Sequence, residues 1–101
     1  MKEPNKYPAT KLIDILGKKW TISILLQLRS GPKRFCHLER DTDASGRLLS
    51  ERLKQLEAAG MVTRTIYAEV PPRVEYQLTD KGKDVETIIN HINDWESKWL
   101  S

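Results

Sequence analysis

Three leucines, Leu49, Leu53 and Leu56, recur at i, i+4 and i+7, and Gly60 follows them. At 100° per residue they share one stripe of a helix. The segment Ser45–Ala59 is therefore predicted to be an amphipathic helix, with Gly60 placed where a left-handed C′ residue ends one. The period then changes. Met61–Tyr67 is rich in β-branched residues, and Val74, Tyr76 and Leu78 alternate with Glu75 and Gln77. A helix that feeds directly into two strands around Ala68–Arg73 implies a β-hairpin, with a long tip stiffened by Pro71-Pro72.

The rest of the chain is organised around that unit. Thr10–Leu16, with Leu12, Ile13, Ile15 and Leu16, reads as a short helix broken by Gly17. Lys19–Arg29 carries Trp20, Ile24, Leu25 and Leu28 on one face and stops at Gly31-Pro32, as helices do. Phe35–Asp41 is a short third helix anchored by Phe35 and Leu38, and Asp41–Ser45 is a polar turn. Thr79 is placed to cap a final helix from about Asp80 to Trp99. A short helix, a polar turn, an amphipathic helix and a hairpin, in that order, make a winged helix-turn-helix. The expected fold class is mostly α with a small antiparallel β-hairpin (α+β), in which Lys33-Arg34 pairs with the hairpin as a small sheet. At 101 residues it is expected to be a single domain.

Charge is unevenly spread. Residues 1–30 carry a net +4, residues 31–78 a net +1 and residues 79–101 a net −2. That polarity suits a domain with one face on an anion and its tail elsewhere. No apolar run approaches the roughly 20 residues of a membrane span, and no signal peptide is visible at the N-terminus. The single cysteine, Cys36, excludes an intramolecular disulfide and a cysteine-rich zinc site and points to a reducing, cytoplasmic setting. His37 and His91 lack companions at metal-ligand spacing, so neither metal nor cofactor is expected. With no P-loop, nucleophile elbow or carboxylate pair, nothing argues for an enzyme.

At this point the residues carry a family likeness. Leu16-Gly17-Lys18-Lys19-Trp20, Gly31-Pro32-Lys33-Arg34-Phe35, the run Leu49–Glu57 and the wing Tyr67–Thr79, above all its Glu69-Val70-Pro71-Pro72-Arg73-Val74-Glu75-Tyr76 core, resemble the HxlR family of winged-helix regulators, relatives of the MarR group. The resemblance covers roughly residues 7–97. It implies a dimeric DNA-binding regulator whose first and last helices (about residues 8–16 and 80–99) form the dimer interface. It also implies that the fourth helix enters the major groove and the wing reaches the flanking minor groove. Some members carry a redox-sensing cysteine before a proline near the N-terminus. Here that place is Tyr7-Pro8, so such a switch is not expected.

Candidate DNA contacts follow from groove geometry. Base edges are read by short polar or cationic side chains near a helix N-terminus, which nominates Ser45, Gly46, Arg47 and Ser50, with Arg47 suited to bidentate recognition of guanine. Arg52 and Lys54 are assigned to phosphates, as are Lys33 and Arg34 beside the start of the third helix. Arg73, on the stiff hairpin tip, suits a narrow, negative minor groove, with Glu69 and Glu75 as partners that orient it. The apolar spacing of the last helix is close to a heptad stripe. Val85, Ile88, Ile92, Trp95 and Trp99, with Leu12, Ile13 and Leu16 of the first helix, are expected to grip a second subunit, while Trp20 is assigned to the core. The expected partners are thus double-stranded DNA and a twin chain, with no membrane and with room for a small-molecule or redox effector. Two alternatives stay open: a winged-helix protein-interaction module, and a thiol-based redox-responsive regulator acting through Cys36.

Overall fold

The computed structural model describes residues 10–101, with the side chain of Thr10 left aside. The elements are α1 (Thr10–Leu16), α2 (Thr21–Leu28), β1 (Lys33–Arg34), α3 (Phe35–Thr42), α4 (Gly46–Ala58), β2 (Val62–Tyr67), β3 (Arg73–Leu78) and α5 (Asp80–Trp99). Mostly helical, with one antiparallel sheet ordered β1-β3-β2, it is the expected winged helix-turn-helix. Residues 8 and 9, included in the expected first helix, lie outside the described residues.

The helix ends show why the chain breaks where it does. Ser45 caps α4, its hydroxyl accepting from the Leu48 N–H at 3.2 Å. At the other end Gly60 adopts φ 74°. Its N–H donates to Glu57 O and the Met61 N–H to Leu56 O, both at 2.9 Å, a paired closure that satisfies the last carbonyls. Between α3 and α4, Asp43 takes a left-handed φ of 61° and turns the chain over buried Ala44. The second helix begins two residues later than the sequence suggests. Trp20 is left-handed (φ 76°), which no right-handed helix accommodates, so Gly17–Trp20 forms a turn and α2 starts at Thr21.

Leu49, Leu53 and Leu56 are fully buried, together with Ile24, Leu28 and Leu38 from α2 and α3. The sheet closes one side of this core through Val62, Tyr76 and Leu78. In the hairpin Val62 faces Leu78 and Tyr67 faces Arg73, and β1 adds Lys33 opposite Tyr76 and Arg34 opposite Glu75. The final helix is capped by Thr79, whose hydroxyl accepts from the Gly82 N–H at 3.1 Å. Gly82, Val85 and Ile89 are its buried residues. From Asn90 onward every residue is exposed. That half of α5 runs free of the core, consistent with a radius of gyration of 15.2 Å where a compact domain of this length has about 13 Å.

Candidate nucleic-acid interface

The outward face of α4 is built by the same periodicity that buries its leucines. Arg47, Glu51 and Lys54 lie opposite the leucine stripe, and all three are exposed. The Arg47 side chain is 91% exposed, held only by a long contact of 3.8 Å from its Nε to Glu51 Oε1, one turn on. Such an exposed pair contributes little to stability, so the guanidinium can exchange it for another acceptor at small cost. Ser45 is exposed but already occupied as the cap. Ser50 is half-buried on the flank, and Gly46 is half-buried beneath α3. A Cβ on Gly46 would stand 2.7 Å from Glu39 Oε2. The glycine thus lets a carboxylate lie against the first turn of α4, where the helix dipole favours negative charge.

Two of the nominated cations are held by the protein's own groups. Arg52, assigned to phosphate, turns inward. Its side chain is 15% exposed, its Nε donates to Lys19 O at 2.9 Å and an Nη to Gln55 Oε1 at 3.4 Å. The reason is angular. Arg52 lies only about 60° from the leucine stripe, against about 160° for Arg47, so its planar fork meets the turn before α2 before it meets solvent. Arg73, assigned to the tip of the wing, opens β3 at the loop end of the hairpin, where it pairs with Tyr67. The tip proper is residues 68–72. The guanidinium lies over the Tyr67 ring, 4.2 Å from its centroid, and an Nη meets Glu69 Oε1 at 3.2 Å. Glu69 is thus the orienting partner expected of it, whereas Glu75 faces Arg34 across the β1–β3 pair. Lys33 is half-buried in β1, and Arg34, exposed, stands at the N-cap position of α3.

Sequence reasoning passed over Lys18 and Lys19. Both are exposed on the turn that Arg52 holds against α4, and the Lys19 ammonium rests 5.2 Å from the Trp20 ring centroid. The excess of positive charge in residues 1–30 was the available signal for a cationic segment beside α4. Asp41, in α3, has its acidity shifted by its neighbour. The hydrogen bond from Arg40 Nε (3.0 Å) holds it below the usual aspartate range, with Lys33 and His37 adding smaller attractions. No described helix is long and apolar enough to cross a membrane, and no group of three or more His, Cys, Asp or Glu among the described residues is gathered around a common point.

The second surface is apolar. Ile88, Ile92, Trp95 and Trp99 are 41%, 37%, 57% and 63% exposed along one side of α5. Ile88 and Ile92 also line an open groove with Leu12, Ile13, Leu16 and Ile22. Of the α5 residues assigned to a subunit interface, Val85 is the exception. It is 8% exposed and belongs to the chain's own core, because the first turns of α5 are already covered by the sheet and α2. Leu16 is buried to the same degree, reaching the groove only by its edge.

The sequence profile of the HxlR-like helix-turn-helix proteins matches residues 15–101. The chain belongs to that family. It is 46% identical over 91 residues to the HTH-type transcriptional regulator YvaP of Bacillus subtilis, covering 89% of this chain and 84% of that protein. Among solved structures, the HTH-type regulator ytcD superposes with a TM-score of 0.88 at 32% identity, over 93% of this chain and 97% of its own. The redox regulator HypR, in its oxidised form, superposes with a TM-score of 0.84 at 34% identity, over 91% and 96%. This HxlR-type protein is accordingly a transcriptional regulator of the winged helix-turn-helix, DNA-binding type.

Proposed function

We propose that the protein acts as a homodimer on a pseudo-palindromic operator, with α4 of each subunit in the major groove and the wing over the flanking minor groove. The observation that carries this reading is the division of the exposed surface. The outward side of α4 presents Arg47 and Lys54, while one side of α5 presents Ile88, Ile92, Trp95 and Trp99. A contiguous apolar stripe of that length on a small domain marks a protein interface, and continuity with α1 through the groove at Leu12 and Ile13 gives it two helices per subunit. The pairing is isologous, so two copies of α4 are related by a two-fold axis and meet successive major grooves about 34–36 Å apart. Arg47 reads base edges from the first turn of α4. Lys54, Arg34, Lys33, Lys18 and Lys19 supply phosphate contacts, and Arg73 approaches the backbone from the loop end of the wing. Ser45, Gly46 and Ser50 bring the start of α4 close to the bases by being small.

Light scattering together with gel retardation of genomic fragments over a salt series tests this. A dimer mass and a specific complex whose affinity falls steeply with salt are expected. A monomer at high concentration, or no retention of any fragment at low salt, refutes it and favours a protein-interaction module.

A second reading is favoured by one observation. Cys36 is free and exposed near the start of α3, and one similar structure is that of a redox regulator. If Cys36 gates operator binding, an oxidant weakens the complex formed by the parent and leaves that of Cys36→Ser unchanged. Equal sensitivity of both proteins rejects it.

A further inference from the structure

The groups that hold α4 in place are not those that face outward. Arg52 reaches from α4 to the carbonyl of Lys19, 33 residues earlier, in the turn that joins α1 to α2. At the far end of the same helix, Lys81 in the first turn of α5 donates to Ala59 O at 2.5 Å, and the Thr79 hydroxyl donates to Gly60 O at 2.6 Å. The helix that faces DNA is therefore tied by polar joints to the turn that follows α1 and to the start of α5, one joint at its middle and one at its C-terminus.

We infer that Arg52 and Lys81 are positioning residues that set the pose of α4 relative to the subunit pair, and thereby the half-site separation the dimer accepts. This rests on the dimeric DNA-binding reading above. Three features argue for it. The Arg52 fork is nearly enclosed and bonded at both ends, to Lys19 O and to Gln55 on its own helix, so it is not available as a mobile surface cation. A planar guanidinium with two partners restricts rotation as well as distance, which one donor cannot do. The Lys81 ammonium sits on the Ala59 carbonyl at the negative end of the α4 dipole, where a cation is favoured whether or not DNA is bound. A small rotation of α4 about its leucine stripe leaves the core largely intact but displaces Arg47 most, because it stands on the far side with the longest lever arm. The leucines fix which face is outward, and the polar joints fix the remaining angle.

The test uses the intact chain and a duplex recovered by selection from genomic fragments, with variants of that duplex whose half-sites are moved one base pair closer or farther. The parent is expected to bind the selected separation best, by at least ten-fold. Arg52→Met is expected to lose about ten-fold on the selected duplex and to bind the three separations more nearly alike, with its salt slope unchanged. Lys81→Met, at an exposed position that keeps the fold intact, is expected to flatten the separation preference in the same direction by a smaller factor. A lower salt slope for Arg52→Met with the separation preference intact means that Arg52 is a phosphate contact and overturns the inference. So does parental behaviour of Lys81→Met together with a uniform loss on all three duplexes for Arg52→Met, which is mere destabilisation. Failure of the parent to retain any duplex overturns the DNA-binding reading itself and is recognised before the variants are made.

Discussion

Replacing Gly82 by alanine is a severe test of how α5 meets the rest of the fold, because two effects of opposite sign compete. Gly82 lies in the first turns of a helix, and glycine to alanine in a helix ordinarily stabilises by about 1 kcal/mol. Here the added methyl would stand 2.1 Å from the Met61 carbonyl oxygen and 3.2 Å from a Leu78 methyl carbon. Carbon contacts relax at about 3.5–4.0 Å, so the two backbones must part by about 1 Å or more. Overpacking costs about 1–3 kcal/mol, at the upper end when the obstacle is backbone rather than a flexible side chain. The same displacement pulls the Met61 carbonyl from the Thr79 N–H, now at 3.1 Å, for about a further 1 kcal/mol. The clash wins, and the net loss is about 2–3 kcal/mol. For a domain of this size each 1 kcal/mol lowers Tm by about 4–8 °C, so the expected drop is roughly 10–20 °C. Far-UV circular dichroism melts of parent and variant at one protein concentration read it directly, the concentration being held because association of the proposed dimer would contribute to Tm. A Tm equal to or above the parent's would show that helix propensity dominates, and that α5 does not approach Met61 as closely as described.

The other expectations concern the two surfaces and the acid limb. Trp95→Ala should raise the dimer dissociation constant at least ten-fold, since aromatic anchors at an interface commonly contribute about 2 kcal/mol or more, and sedimentation should show monomer where the parent shows none. Arg47→Ala should weaken operator binding by about 1–3 kcal/mol and relax preference at one base pair per half-site, which a panel of single-base substitutions would reveal. Arg73→Ala should weaken binding to all duplexes alike and make the salt dependence shallower by about one phosphate contact; an altered ranking of sequences would instead make it a base reader. Asp41 is held below its unfolded value by Arg40, so its contribution to stability is present above the ordinary aspartate value of about 3.9 and is lost as pH falls through the lower folded value. Asp41→Asn should be less stable than the parent at neutral pH, with the difference closing in acid. A gap that persists below that range would assign the loss to packing.

Much of this molecule is legible along the chain because its signals are local. The leucine spacing of α4, the glycine after it, the Thr79 cap and the alternation of β3 each depend on residues within a few positions of one another. They determine, without any tertiary information, that a helix with one polar side leads into a hairpin and that a long amphipathic helix follows. The start of α2 was not readable, because Trp20 gives no sign of its left-handed backbone until the turn it belongs to is packed against α4. What only the tertiary structure decided is where the long side chains go. Arg47 and Arg52 are both arginines on one helix, yet one points to solvent and the other to a carbonyl 33 residues away. Arg73 stands at the loop end of the hairpin as expected, but register pairs it with Tyr67, whose ring holds the guanidinium against the wing. Val85 fits the apolar stripe of α5 as well as Ile92 does, but the sheet and α2 cover the first turns of that helix and leave the rest bare. Periodicity assigns a residue to a face, whereas the identity of the neighbour across that face is a non-local fact that sequence spacing does not carry.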